Sequence, residues 1–491
     1  MNHFLSRRRF LGSAAGAGIV LLTGCASGTD QSNVASSRLT KITADPARRP
    51  DVVAALRAAP TEFELAGRVV NTWAYDGAVP GRTVRASVGD LVEVSIANDL
   101  PEATSIHWHG LSIVNVMDGV PALTQADIVP GEVFTYRFIV PDSGTYWFHP
   151  HHGLQLDRGL LAPLIIEDPN DGVDADVDYV VMLDDWLDGV NTTPETELVA
   201  LQNMDMDSMG SMVMASSPLL GGDAGDVTYP YHLINGRPIE DPLTFDPAPR
   251  SGDRVRFRII NGAADTAYRF AVGGHSMTVT HADGFAVEPV EVDALLVGMG
   301  ERYDITLTVQ SGAWPVVALA EGKDQRTAAV LRTRDAAATA SPDLAAPIAE
   351  LDGTWLRYAD LRAAEAVALD LPDDGDIRPI SVQLTGGMMR YDWGINGVPY
   401  GDHEPIEVRA DEWVSLVIEN ASGMWHPIHL HGHSPQIGRP RGSVRKDTVN
   451  VLPSQSVEMV FQANNPGDCM IHCHNAYHLE AGMATVLTYG S

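Results

Sequence analysis

The stretch Gly89-Asp90-Leu91-Val92-Glu93-Val94-Ser95-Ile96-Ala97-Asn98 decides the fold, because its pattern recurs twice. Val92, Val94 and Ile96 alternate with Glu93 and Ser95, and Asn98 ends the run. A second copy sets Val255, Phe257 and Ile259 around Arg256 and Arg258 and ends on Asn261. A third sets Val414, Leu416 and Ile418 around Ser415 and Val417 and ends on Asn420. Each apolar triple falls six, four and two residues before its Asn, after a short turn at Gly89-Asp90, Gly252-Asp253 or Ala410-Asp411. Successive side chains of a strand point to opposite faces, so this period marks half-buried strands with one face in a sandwich core. A repeat of about 160 residues in a chain of 491 predicts an all-β protein of three consecutive β-sandwich domains.

Working outward, the Asp- and Pro-rich residues 168–178 and the Ala/Pro/Ser-rich residues 333–350 read as linkers. The domains are then expected at 61–170, 175–335 and 350–491. Residues 26–60, mostly Ala, Ser, Thr, Asp, Pro and Arg, read as a flexible tether.

Nine residues beyond each Asn the copies diverge. The first reaches His107-Trp108-His109-Gly110 and the third His429-Leu430-His431-Gly432. The middle copy reaches Phe270-Ala271-Val272-Gly273, without metal-ligating side chains, and reads as a spacer.

The chain ends in Met470-Ile471-His472-Cys473-His474-Asn475-Ala476-Tyr477-His478-Leu479-Glu480-Ala481-Gly482-Met483. Two His, one Cys and a weak axial Met make the ligand set of a blue electron-transfer copper. Cys473, His478 and Met483 supply three of those ligands, and His426 is the unpaired fourth. On a strand, His472 and His474 point to the face opposite Cys473 and would serve a second metal site wired to it. Zinc favours closed tetrahedral sites, often with several cysteines, and iron–sulfur clusters are Cys-dominated, so both fit poorly. His pairs at alternate positions occur four times, at 107 and 109, 149 and 151, 429 and 431, and 472 and 474. Imidazole suits copper, and eight such residues suit a cluster of several ions.

Residues 60–491 resemble the three-domain bacterial multicopper oxidases, the group of laccases and cuprous oxidases. The resemblance rests on His107-Trp108-His109-Gly110, Tyr146-Trp147-Phe148-His149-Pro150-His151, His426-Pro427-Ile428-His429-Leu430-His431-Gly432 and the Cys473 segment. It implies cupredoxin-like Greek-key domains and four copper ions. By resemblance, one type 1 copper takes His426, Cys473, His478 and Met483, and one type 2 copper takes His107 and His429. The two type 3 coppers take His109, His149, His151, His431, His472 and His474. The trinuclear site is then expected between the first and third domains. His152 follows His151 and so points to the other face, where it is expected at the surface or behind a ligand; His433 extends an alternating row and is expected to support a ligand rather than bind.

The reaction implied is four one-electron oxidations of a reductant coupled to reduction of O₂ to water. The resemblance assigns proton delivery to Asp118. Some cuprous oxidases carry a second acid directly after the last copper His; here that position is Leu479, and the neighbouring Glu480 is the candidate relay. Asp447 matches an acid expected near the blue copper, where it would help bind a substrate metal ion.

Met204, Met206, Met209, Met212 and Met214 crowd one window. Thioethers favour Cu(I). Thr193-Pro194-Glu195 reads as a helix start, which would put Met206, Met209 and Met212 on one stripe. The window either binds substrate Cu(I) or covers a pocket. The resemblance is closest to exported copper-tolerance oxidases and implies Cu(I) oxidation for copper detoxification, which the methionine window fits, with laccase-type oxidation of phenols as the alternative. A copper store without catalysis would not need so complete a ligand set.

Ser6-Arg7-Arg8-Arg9-Phe10-Leu11 looks like a twin-arginine export motif, and Leu22-Thr23-Gly24-Cys25 resembles a lipoprotein cleavage box. Residues 1–25 thus read as a signal for the twin-arginine machinery. The product is then either lipid-anchored through Cys25 at the cell envelope or released into the periplasm. A formal charge of −31 argues against nucleic acid as a partner. Cys25, Cys469 and Cys473 are the only cysteines, too few for a disulfide scaffold.

Overall fold

The computed structural model describes residues 47–204, 215–337 and 341–490. The three repeated strands are Leu91–Asn98, Arg254–Asn261 and Trp413–Asn420. Each has the same neighbours. A strand from the start of its own domain lies parallel to it: Val52–Leu65, Val177–Trp186 and Ile377–Thr385 respectively. A later strand lies antiparallel on its other side: Val133–Ile139, Arg302–Thr308 and Ser456–Gln462. Every one of the nine apolar triple residues is fully buried. At about 1.5–3 kcal/mol for each buried aliphatic or aromatic side chain, these triples anchor their sandwiches.

The strand-ending Asn has a defined task. Asn98 Nδ2 donates to the carbonyls of Glu102 and Ile128 at 2.9 and 2.7 Å, and its Oδ1 accepts from Leu100 N at 2.9 Å. Asn261 bonds Thr266, Val297 and Ala263 in the same way, and Asn420 bonds Met424, Val451 and Ser422. Each Asn satisfies buried backbone groups of a loop that would otherwise lack partners. In the outer domains that loop leads into His107–His109 and His426–Leu430.

A second sheet faces the first in each domain. In the first domain its order is Val84–Ser87, Ala162–Glu167, Gly144–His149, His107–His109. In the third it is Ile406–Val408, Ala484–Tyr489, Cys469–Cys473, His426–Leu430, Thr448–Val451. The middle domain has a sheet of six strands and one of four. The chain is thus all-β, with three consecutive cupredoxin-like sandwiches. Among the described residues no helix is long and apolar enough to cross a membrane.

Three expectations are corrected. Residues 52–60, read as tether, belong to strand Val52–Leu65, which pairs with Arg68–Tyr75 and Leu91–Asn98. Its alternation is muted by alanines, which fill the core with little side chain. Strand Arg254–Asn261 is not half-buried: Arg256 and Arg258 are buried too. Arg256 reaches Asp171 and Asp304 at 2.6 Å, and Thr145 of the first domain donates to Asp304 at 2.6 Å, so that face is a domain interface. Finally, the stretch 350–363, placed in the third domain, lies against the middle one. Leu351 joins the cluster of Ala271 and Ala294, and Ala363 bridges to Val287.

Helix Pro194–Gln202 forms as expected, with Thr193 Oγ1 accepting from Thr196 N at 3.3 Å. It stops before the methionine window. Met204 is half-buried against the core, while Met206, Met209, Met212, Met214 and Cys25 lie outside the described residues.

Candidate metal centre

The strands that carry the histidines pair so as to bring them face to face. His107 stands opposite His149, and His429 opposite His472. Ligand atoms gather, each set lying within 4.8 Å, as His107–His109–His429, His109–His149–His474, His151–His431–His472 and His426–Cys473–His478. The first three sets adjoin and mix residues of the first and third domains. The fourth lies within the third domain, behind His472 and His474 on the chain.

Tautomers follow from the partners. His107 Nδ1 donates to the carbonyl of Asp118 at 2.8 Å, His149 Nδ1 to Pro150 at 2.9 Å, and His472 Nδ1 to Cys473 at 2.9 Å. His429 Nδ1 donates to Asp447 O at 3.0 Å, and His431 Nδ1 meets the Asp118 carboxylate at 2.8 Å. A carbonyl only accepts, so each of these rings carries its proton on Nδ1 and a lone pair on Nε2. The Nε2 atoms of His107, His149 and His429 are buried with no hydrogen-bond partner among the described residues. His431 Nε2 and His472 Nε2 face each other at 3.0 Å, and His151 Nε2 lies 3.4 Å from His472 Nε2. Facing lone pairs repel unless a cation sits between them, so these residues fit a metal cluster.

Protonation does not supply that cation. Burial first, and then the neighbouring imidazoles, hold His149, His151, His431 and His474 well below the usual imidazole range. His472 is pushed down to about 3 by the same causes. Neutral, buried, unpartnered imidazoles are the state that binds copper.

In the fourth set, Cys473 Sγ lies 3.6 Å from His426 Nδ1 and 3.6 Å from His478 Nδ1. The two rings are fixed from behind: His426 Nε2 pairs with Ser422 Oγ at 2.7 Å, and His478 Nε2 with Asp226 Oδ2 at 2.9 Å. Met483 is fully buried beside them; its carbonyl accepts from Cys473 N at 3.0 Å and its N–H donates to His478 O at 2.9 Å. His478 stands on the short helix Ala476–Glu480, whose first turn is capped by the Asn475 side chain.

The other candidates separate. Asp118 is buried against both His107 and His431. Glu480 lines a cavity of about 380 Å³ with Val120, His151, Tyr400 and Met470. It also lines a smaller inner pocket with His149, His151, His472 and His474. His433 supports rather than faces the cluster, pairing with His431 O at 3.0 Å and Tyr489 OH at 2.7 Å. His152 Nε2 lies 3.9 Å from Asp127, away from the ligand sets.

Asp447 is a correction. It does not stand at the His426–Cys473–His478 set. Strand Thr448–Val451 pairs with His426–Leu430 so that His426 meets Val451 and His429 meets Thr448. Residue 447 therefore lies at the His429 end, where its carboxylate is 3.2 Å from His109 and 3.4 Å from His429. It is fully buried against those two histidines, away from His478.

Sequence reading missed Asp226. It is fully buried, and Tyr391 OH donates to the same Oδ2 at 2.9 Å. It comes from the middle domain, more than 250 residues from His478, and no local spacing marks it.

Comparison with known proteins agrees with this geometry. Three family profiles, each described as multicopper oxidase, match residues 57–171, 177–336 and 376–491. The chain is 45% identical over 496 residues to the multicopper oxidase MmcO of Mycobacterium tuberculosis, covering 99% of this chain and 96% of that one. It is 27% identical to copper resistance protein A of Pseudomonas syringae pv. tomato, covering 86% of this chain and 92% of that one. The crystal structure of laccase from Botrytis aclada superposes with a TM-score of 0.74 at 25% identity, covering 89% of this chain and 87% of that one. With its copper-type ligand sets between cupredoxin-like sandwiches, the chain belongs to the multicopper oxidase family and is an oxidoreductase that uses copper.

Proposed function

We propose that the enzyme oxidises Cu(I) to Cu(II) and reduces O₂ to water, four Cu(I) and four protons being consumed for each O₂ and two waters formed. His426, Cys473, His478 and Met483 hold one type 1 copper, and His107 and His429 one type 2 copper. His109, His149 and His474 hold one type 3 copper, and His151, His431 and His472 the other. Bound copper supplies the one-electron acceptor at the first site and the O₂-reducing centre at the other three. The chain's own residues bind substrate, orient ligands and deliver protons. Asp118 holds an exchangeable proton position between His107 and His431. Glu480 stands between the solvent cavity and the inner pocket and is the second proton carrier.

One observation carries the choice of reductant. The outer nitrogen of His478 is fully buried behind the Asp226 carboxylate, whose other oxygen is buried without a hydrogen-bond partner among the described residues. Asp223, three residues away and half-buried, adds a second carboxylate. Two acids at the electron entry attract a cation, whereas a neutral phenol gains nothing from them and would have to displace Tyr391. Met204 and the methionine window, including Met206, Met209, Met212 and Met214, would feed soft Cu(I) to this entry. Laccase-type oxidation of phenols is the alternative. A test is anaerobic bleaching of the blue colour by a buffered Cu(I) donor and by a simple phenol. Faster bleaching by Cu(I), slowed in Asp226→Asn, is expected; faster bleaching by the phenol would reverse the reading.

The site of action is the cell envelope or periplasm after twin-arginine export, with lipid on Cys25 as anchor. Arg7-Arg8-Arg9 and Leu22-Thr23-Gly24-Cys25 support this. The copper resistance protein among the relatives fits a detoxifying role.

A further inference from the structure

We propose that Arg302, in the middle domain, is a positioning residue for the trinuclear ligands and acts through Asp447. The proposal rests on the copper reading given above. Arg302 begins strand Arg302–Thr308 and is fully buried. Its Nη1 donates to Asp447 Oδ1 and its Nη2 to Asp447 Oδ2, both at 2.7 Å, a bidentate pair. Its Nε donates to Thr145 O of the first domain at 3.1 Å. One guanidinium from the second domain therefore touches the first and the third.

Asp447 passes that constraint to the ligands. Its Oδ1 lies 3.2 Å from His109 Nε2 and 3.4 Å from His429 Nδ1, one imidazole from each outer domain. Thr448 Oγ1 donates to the same oxygen at 2.8 Å and lies 3.2 Å from each of those ring nitrogens. With the Nε2–H of His109 donating to Asp447, the lone pair of that ring falls on Nδ1, which faces His474 Nε2 at 3.2 Å. Carboxylates behind ligating imidazoles fix both ring orientation and tautomer.

The fit is tight enough to transmit position. A Cβ on Gly300, two residues before Arg302, would lie 3.0 Å from His109 Cε1 and 3.0 Å from His474 Cδ2. A Cβ on Gly110, directly after His109, would collide with Arg302 Nη2 and Asp447 Oδ2. The middle domain thus packs onto the ligand rings with no space for a side chain at either point.

Charge points the same way. Lys446 Nζ lies 3.0 Å from both Asp283 and Glu301, and all five groups (Arg302, Lys446, Asp283, Glu301, Asp447) are fully buried. Two cations face three carboxylates, one formal negative charge in excess. Buried excess charge is costly, and copper beside His109 and His429 offsets it.

The test compares the copper-loaded full chain with Arg302→Lys, Asp447→Asn and the double variant. It reads copper per chain, blue absorption and the type 2 electron paramagnetic resonance spectrum. A lysine keeps the charge but cannot span Thr145 and both carboxylate oxygens. Arg302→Lys should keep the blue absorption of the third domain, shift the type 2 hyperfine pattern, and lose about tenfold in trinuclear copper affinity. The double variant should be no worse than Asp447→Asn alone. Wild-type copper content with an unaltered type 2 spectrum in Arg302→Lys would overturn the proposal, as would additive losses in the double variant. If Arg302→Lys does not fold, an unaltered type 2 spectrum in Asp447→Asn decides against it. A wild-type chain that shows no type 2 signal when loaded would instead remove the copper reading itself.

Discussion

The Asp118 carboxylate meets His431 Nδ1 at 2.8 Å, although 313 residues of chain separate them. The main-chain carbonyl of Asp118 accepts from His107 Nδ1 at the same distance. One buried acid of the first domain therefore orients ligands of the first and third. It is also placed to exchange a proton beside the cluster. Asp118→Asn keeps the shape and removes that exchange. Turnover should fall about 100-fold or more, in line with loss of a positioned acid–base group. Blue absorption should stay, because the His426–Cys473–His478 set does not include Asp118. Full turnover in the variant, measured by O₂ uptake, would remove Asp118 from proton delivery.

Asp226→Asn tests the electron entry. The amide oxygen can still accept from His478 Nε2, so the ring should stay in place. The attraction for a cation is lost. Steady-state oxidation of Cu(I) should drop about tenfold, the effect of one lost close charge interaction of about 1.4 kcal/mol. Turnover of a neutral phenol should change far less. Equal losses for both reductants would mean that Asp226 only holds His478.

Burial and then the neighbouring Asp226 push the Asp223 carboxyl up to about 6. Its charged form is present above that pH and lost below it. KM for a buffered Cu(I) donor should therefore rise as pH falls through 6 and level off about tenfold higher once Asp223 is neutral, the effect of one lost close charge interaction. Asp223→Asn should flatten that profile and show the higher KM throughout. A profile that keeps its bend near 6 in the variant would assign it to another group.

The fold was legible because one strand pattern recurs three times and its terminal Asn does the same task each time. The clustering of the histidines was legible because alternate positions on a strand share a face, so HxH pairs survive as spacing. What escaped depends on contacts between elements. Residues 52–60 look like tether because alanines hide their alternation. Arg256 and Arg258 look solvent-facing because the first domain that covers them is remote in sequence. The place of Asp447 depends on the register that sets His429 against Thr448. Asp226 and Arg302 reach the site from the middle domain, whose strand pattern carries no ligands of its own.

Copper removal should loosen the molecule. Without a cation, His431 and His472 present lone pairs to each other at 3.0 Å across the cluster. Ligand bound at a thousand times its dissociation constant adds about 4 kcal/mol to folding stability. Loading the apo-protein should therefore raise Tm by about 4 °C for each copper so bound, read in calorimetry. Equal Tm for apo and loaded protein would contradict copper binding between the domains.

The most direct measurement is O₂ uptake by copper-loaded enzyme with a buffered Cu(I) donor, set against a simple phenol. It is repeated after replacing Met204, Met206, Met209, Met212 and Met214 by Ser. Preference for Cu(I), with four Cu(I) consumed per O₂ and the preference lost in the variant, is the predicted result. Efficient phenol turnover with poor Cu(I) turnover, unchanged in the variant, would contradict the account.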